Sequence, residues 1–234
     1  MFRLSHRHRS VTVNMSSVTV TVTGTDSSAL VSNFFPPIAL TGEGEWYVGL
    51  LDFTTYNTIP NVIDGKNNEF PVRLESNGGW KTIKLPTGAY EIDNIERYLK
   101  KELGGGNISL RPNNNTLKCE LFCKYNVDFG QSPNTIGRML GFTKTRTLEA
   151  YITHESDAPV DIIKVNAIQI HTLHSFYPTV EPGFKIVETP SNVIYLPVNV
   201  NSIHNITLSI VDQDGDNIDF RGEVITVRLH LKRI

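Results

Sequence analysis

The sequence predicts a mainly β fold: an antiparallel β-sandwich of jelly-roll type with two short helical insertions. Three observations lead to that expectation. Near the start, Val18, Val20 and Val22 interleave with Thr19, Thr21 and Thr23. Near the end, Ile225, Val227, Leu229 and Leu231 interleave with Val224, Thr226, Arg228 and His230. Side chains of a strand point to opposite faces in turn, so each run buries one face. Between these runs, clusters of Gly, Pro and Asn break the chain at short intervals, and only two short segments repeat apolar residues at helical spacing. At 234 residues, 39% hydrophobic and 20% charged, the chain is long enough to bury a sizeable core within one large β domain.

The elements follow in order. Residues 11–23 read as the first strand and 25–28 as a polar loop. NFFPP at 33–37 is an extended segment, because two prolines remove donors and hold φ near −65°. WYVGLLDFTT at 46–55 is the most apolar strand and is expected at the centre, with a long loop at 57–68. Residues 70–74 and 80–85 form a hairpin about Asn77, Gly78 and Gly79. A helix is predicted at 91–103, where Ile92, Ile95, Leu99 and Leu103 make one stripe, Lys100 and Lys101 suit its end, and Gly104 to Gly106 stop it. A second hairpin joins 107–111 to 116–124, and a second helix is predicted at 135–140 with Ile136, Met139 and Leu140 inward. Strands follow at 161–172, 184–188 and 193–198. The final pair, 206–211 and 224–231, reverses at an Asp-Gln-Asp-Gly turn, whose Gly215 supplies the positive φ of a tight reversal.

This divides the chain into a flexible basic arm at 1–15 and a β domain at 16–234, with a helix-containing insertion at about 86–142. A net charge of −2 gives no global attraction to nucleic acid or an anionic membrane. Nucleic-acid contact is left to Arg3, Arg7 and Arg9 of the arm; a frayed end, or an extension ahead of a start at Met15, accounts for the same residues. No apolar run is long enough for a transmembrane helix, and the basic first residues lack the apolar stretch of a secretory signal. An intracellular location, nucleus or cytoplasm, is therefore expected.

Candidate chemistry is sparse. Asp212, Asp214, Asp216 and Glu223 match the spacing of a calcium loop, but Asn217 stands where Gly is needed and the flanks are strands; an acidic hairpin turn explains the same residues. His154, His171 and His174 lack metal-site spacing. Cys119 and Cys123 fall on one strand face about 13 Å apart, beyond the roughly 7 Å a disulfide allows, and read as buried hydrophobes. His154, Glu155, Ser156 and Asp157 spell triad letters in one loop without a nucleophile elbow. No cofactor motif occurs and no enzyme is expected.

Seven segments taken in order carry a family resemblance: TYNTIPNV (55–62), LPTGAYEIDNIERYLK (85–100), LRPNNNTLKCE (110–120), NTIGRMLGF (134–142), HESDAPVDIIKVN (154–166), PGFKIVETPSNVIYLPVNV (182–200) and DQDGDNIDFRGEVITVRLHLK (212–232). The set resembles the capsid-type proteins of Polinton (Maverick) virus-like transposable elements and the related adintoviruses, most closely the penton-like minor capsid protein. The resemblance implies a jelly roll that assembles into homopentamers beside a major capsid protein, with no catalytic residues and no small-molecule substrate. The chain departs from the family pattern between Ile170 and Phe176, where only five residues intervene. Phe34, Phe35, Tyr56, Phe176 and Tyr177 lie on long loops or their flanks and read either as interface anchors or as lids over the sandwich ends. The alternative function is a carbohydrate- or peptide-binding module using Trp46, Trp80 and the acidic turn with calcium.

Overall fold

A computed structural model describes residues 16–75, 77–170 and 173–234. The predicted arm with Arg3, Arg7 and Arg9, the first residues of the predicted opening strand, and His171 lie outside the described residues. In chain order the elements are β1 (Ser17–Gly24), β2 (Leu30–Ala39), β3 (Trp46–Tyr56), β4 (Glu69–Arg73), β5 (Lys81–Lys84), α1 (Ile92–Leu103), β6 (Ile108–Asn113), β7 (Lys118–Cys123), β8 (Asn126–Val127), β9 (Thr153–Glu155), β10 (Ile168–Ile170), β11 (His174–Phe176), β12 (Lys185–Glu188), β13 (Leu196–Val198), β14 (Ser202–Leu208), β15 (Ile210–Val211) and β16 (Ile225–Arg233). A single 3₁₀ turn, Phe129–Gln131, follows β8.

The main sheet runs β1-β16-β3, and β12 and β13 divide the far edge of β3 between them. Each strand ladder is antiparallel. The first strand thus lies beside the last, and the chain leaves the sheet between β1 and β3 to place β2 against β14. A third ladder, β11-β10-β15, completes this half. The strand order is of jelly-roll type. The alternation in the sequence determines which side is dry: Val20, Val22, Ile225, Val227, Leu229 and Leu231 are buried together with Leu50, Phe53, Phe176 and Phe220. Phe53 is the centre of the aromatic packing, with ring centroids 5.3 Å from Phe176 and 6.3 Å from Phe220.

A second core is built from the stretch between β3 and β10. The ladders β5-β4-β8 and β6-β7-β9 enclose it with α1. Of the predicted stripe the helix buries Ile95, Leu99 and Leu103 in the cluster with Phe70, Leu110 and Leu121, while Ile92 is half-buried at its margin. Gly104 ends it at φ +93°, its amide donating to the Lys100 carbonyl at 2.9 Å. Both hairpins of this half have the predicted strands.

Three expectations need correction. Residues 135–140 are turns and not a helix. Ile136 donates its amide to the Glu69 carbonyl, 2.9 Å away, and the Thr135 hydroxyl takes the Gly137 amide, so the segment is drawn to β4 before a helix can propagate. Its apolar members are nevertheless buried, as Ile136, Met139 and Leu140. Among its described residues, the strand predicted at 161–172 is paired only at Ile168–Ile170, and Ile163 points to solvent. The final pair does not close on itself. The turn at 212–215 is present, with Asp212 donating to Asp216 at 2.9 Å, but β14 pairs with β2 while β16 joins β1 and β3.

Candidate assembly surface

Two exposed features carry the aromatic residues singled out from the sequence. The first is an arch in β2. Its ladder with β14 is continuous from Leu30 to Asn33, breaks, and resumes at Ile38. The break falls on Phe34-Phe35-Pro36-Pro37, where Pro36 and Pro37 have no amide to pair and the Phe35–Pro36 bond is cis. Phe34 packs against the first core while Phe35 projects wholly into solvent. A fully exposed phenylalanine forgoes roughly 1.5–3 kcal/mol of burial.

The second feature is the loop that follows β11. Asn57 ties it to the end of β3: its amide donates to the Phe184 carbonyl at 2.8 Å, its side chain to Val180 at 2.7 Å, and Gly183 donates back to Asn57 at 2.7 Å. The rigid base leaves Tyr177 73% exposed, with Phe184 at 61% and Tyr56 at 47% nearby in the ladder. Beside this loop a groove of about 390 Å³, lined by Ile59, Tyr90, Ile163, Val165, Pro178 and Val180, marks the junction of the two halves. Asn61 clasps the outgoing and returning chain there. Its amide group donates to Tyr90 O at 2.7 Å and Ile162 O at 3.0 Å, and its carbonyl accepts from the Tyr90 amide at 2.8 Å.

Phe176 is a correction. It is only 7% exposed and packs its ring at a tilt against Phe53, so it belongs to the core and not to a contact surface. Its neighbour His174 lies on the same face, 3.0 Å from Glu188 Oε1 and stacked on the Phe176 ring. Phe184 was not singled out from the sequence; its position beside the Pro182-Gly183 turn was the available signal.

The residues considered for chemistry are engaged in structure. Asp212 Oδ1 accepts the amides of Asp214 and Asp216, each at 2.9 Å, which is the bonding of an acidic turn. Among the described residues no three His, Cys, Asp or Glu side chains gather where they could hold a metal, the four calcium candidates included. Cys119 and Cys123 are buried free thiols on one face of β7, and burial pushes the Cys119 thiol up to about 12. The triad letters disperse. His154 Nε2 lies 3.0 Å from the Glu149 carbonyl, and the buried Ser156 hydroxyl donates to Ala158 O at 2.7 Å while accepting the Cys119 amide at 3.0 Å. Asp157 pairs with Arg146 at 3.3 Å and Lys144 at 3.6 Å. Burial raises its carboxyl, but the Lys144 amide, both cations and the Thr143 amide prevail and hold it below the usual range. Trp46 is a core residue and Trp80 lies under the Arg73 guanidinium at 5.0 Å, so neither is a bare platform for a sugar ring.

One surface escaped sequence reasoning. The segment between β12 and β13 crosses the outer face of the main sheet over Gly49. A Cβ at that position would stand 2.5 Å from Val193 Cγ1 and 3.0 Å from the Ile194 carbonyl. Tyr195 secures the strap, its hydroxyl 2.8 Å from His230 Nδ1 and its ring 3.7 Å from the Lys232 ammonium. A lone glycine inside the most apolar strand was the signal of this close approach.

No protein-family model and no curated protein matches the chain. Among solved structures, the crystal structure of the mavirus penton protein aligns over 94% of this chain and 99% of that one, with 11% identity and a TM-score of 0.49.

Proposed function

We propose that the protein is a structural capsid subunit, penton-like, that works by self-association into a homopentamer and by contact with a major capsid protein in a virion. The observation that carries this reading is Phe35, fully exposed on an arch whose two ends are held in a ladder. A rigid aromatic presented in this way suits an interface anchor. The ordered motif set supports the class of element. The Phe35 arch and the Tyr177 loop are proposed as the contacts, since head-to-tail rings need two different patches on one subunit. We further propose that the inserted unit spans 62–162, wider than the 86–142 first expected, because its core draws on Val62 at one end and Leu148, Val160 and Ile162 at the other.

Mass photometry of the full chain tests this. The native protein is expected to form a discrete oligomer of five copies. Phe35→Asp and Tyr177→Asp should each give a monomer with an unchanged far-UV spectrum, because neither side chain supports the fold. A native protein that stays monomeric, or variants that keep the five-copy oligomer, would overturn the assignment.

A further inference from the structure

Among the described residues no strand pairs with the outer edge of β1, and the strand itself carries no charge, proline or bulge to protect that edge. The hydrogen-bond parity of the ladder gives its direction. The Arg233 amide donates to the Ser16 carbonyl, and the register runs on without a shift from Ser17↔Lys232 to Gly24↔Ile225. Ladder bonds in an antiparallel pair alternate along a strand. Residues 16, 18, 20, 22 and 24 therefore bond to β16, and the amides and carbonyls of Ser17, Thr19, Thr21 and Thr23 point outward. The opposite side of β16 agrees: Ile234 and Glu45 exchange bonds at 3.0 and 3.1 Å, so its even positions face β3.

Natural edges are blunted by charge, proline, bulges or shortness. The other edge strands follow this rule. β5 carries Lys81 and Lys84, β6 carries Arg111 and Pro112, β12 carries Lys185 and Glu188, β13 carries Pro197 and β2 carries Pro36 and Pro37. β14 has a register shift, β9 carries Glu155, β11 is three residues long, and β8 and β15 are two. β1 has eight residues, SVTVTVTG, with no charge, no proline and no bulge.

We propose that this edge pairs with β1 of a second copy of the chain, antiparallel, about a two-fold axis at Val20. The four outward residues are symmetric about Val20, so this register alone satisfies all of them. It sets Ser17 against Thr23 and Thr19 against Thr21, and Val18 against Val22 on the core side, so like faces meet and no charge is buried. The contact makes one continuous sheet from two subunits and does not rest on the function proposed above. An eight-residue strand pair alone falls short of the roughly 1,200 Å² of a stable interface, so the association is expected to depend on concentration.

The test is disulfide trapping in the full chain. Val20 and its symmetry mate form a non-bonded pair, with α-carbons about 4.5 Å apart and within disulfide reach. Val20→Cys under oxidised glutathione should give a covalent dimer on a non-reducing gel, while Val18→Cys, about 13 Å from its own mate, should not. In the Val20→Cys background, Thr21→Pro removes an outward amide without touching the β16 ladder and should cut the trapped dimer at least tenfold. Thr21→Lys, which needs no backbone change, should do the same. Failure of Val20→Cys to cross-link, equal trapping at both positions, or trapping unchanged by both Thr21 variants would overturn the proposal. So would a rise in trapping in Val11→Asp/Val13→Asp, since that result would make the preceding segment the occupant of the edge in the native chain.

Discussion

Replacing Ser156 by alanine separates a structural hydroxyl from a reactive one. Ser156 is 2% exposed, and its hydroxyl joins β7 at Cys119 to the chain beyond at Ala158. Its removal leaves the Cys119 amide and the Ala158 carbonyl without these partners in a dry site. Each lost bond is worth about 1 kcal/mol, and a stranded buried donor adds a desolvation cost, so roughly 2–3 kcal/mol of destabilisation is expected. In urea this is a midpoint shift of about 1 M at an ordinary slope. The two tryptophans allow the effect to be located, since Trp46 sits in the first core and Trp80 beside β5 and Arg73. With Trp46→Phe as background, Trp80 fluorescence should report the early transition. A shift under about 0.5 kcal/mol would refute the structural role, and a stabilised variant would point instead to a strained reactive serine.

Other outcomes follow from named contacts. Gly49→Val should cost about 1–3 kcal/mol by overpacking beneath the strap, read by thermal melting. Phe176→Ala should cost about 3–5 kcal/mol by leaving a cavity beside Phe53, a loss that a surface aromatic would not show. The Ser132 hydroxyl and the Lys84 ammonium hold the Glu69 carboxyl below its ordinary range. A carboxyl with a lowered folded pKa contributes stability above the unfolded value of about 4.3 and loses it as pH falls through the folded one. Glu69→Gln should therefore be less stable than the native chain at neutral pH and converge with it in acid, as measured by urea midpoints across pH. Cys119 should resist iodoacetamide in the native protein and react on unfolding, as mass spectrometry would show.

Much of the fold was legible where one rule dominates locally. β1, β16, β7 and α1 show period-two or helical patterns, because each has one wet and one dry side. What could not be read was partner choice. The turn after Val211 fixes only a local reversal; the first core decides that β16 passes to β1 and β3. Residues 135–140 have the composition of a helix, but β4 supplies a better partner for Ile136. Exposure was harder still. Phe35 and Phe176 look alike as aromatics flanking loops, yet one meets only solvent and the other meets Phe53, a distinction made by chain that is distant in sequence.

The Asn61 clasp also bears on engineering. Because Asn61 on the departing chain holds the returning chain at Ile162, the stretch proposed above as an inserted unit begins and ends at one point. A short linker from Asn61 to Ile162 would excise it with the order of the remaining strands intact. A foreign module whose ends lie equally close could be mounted at the same point, which makes this the natural place to display cargo.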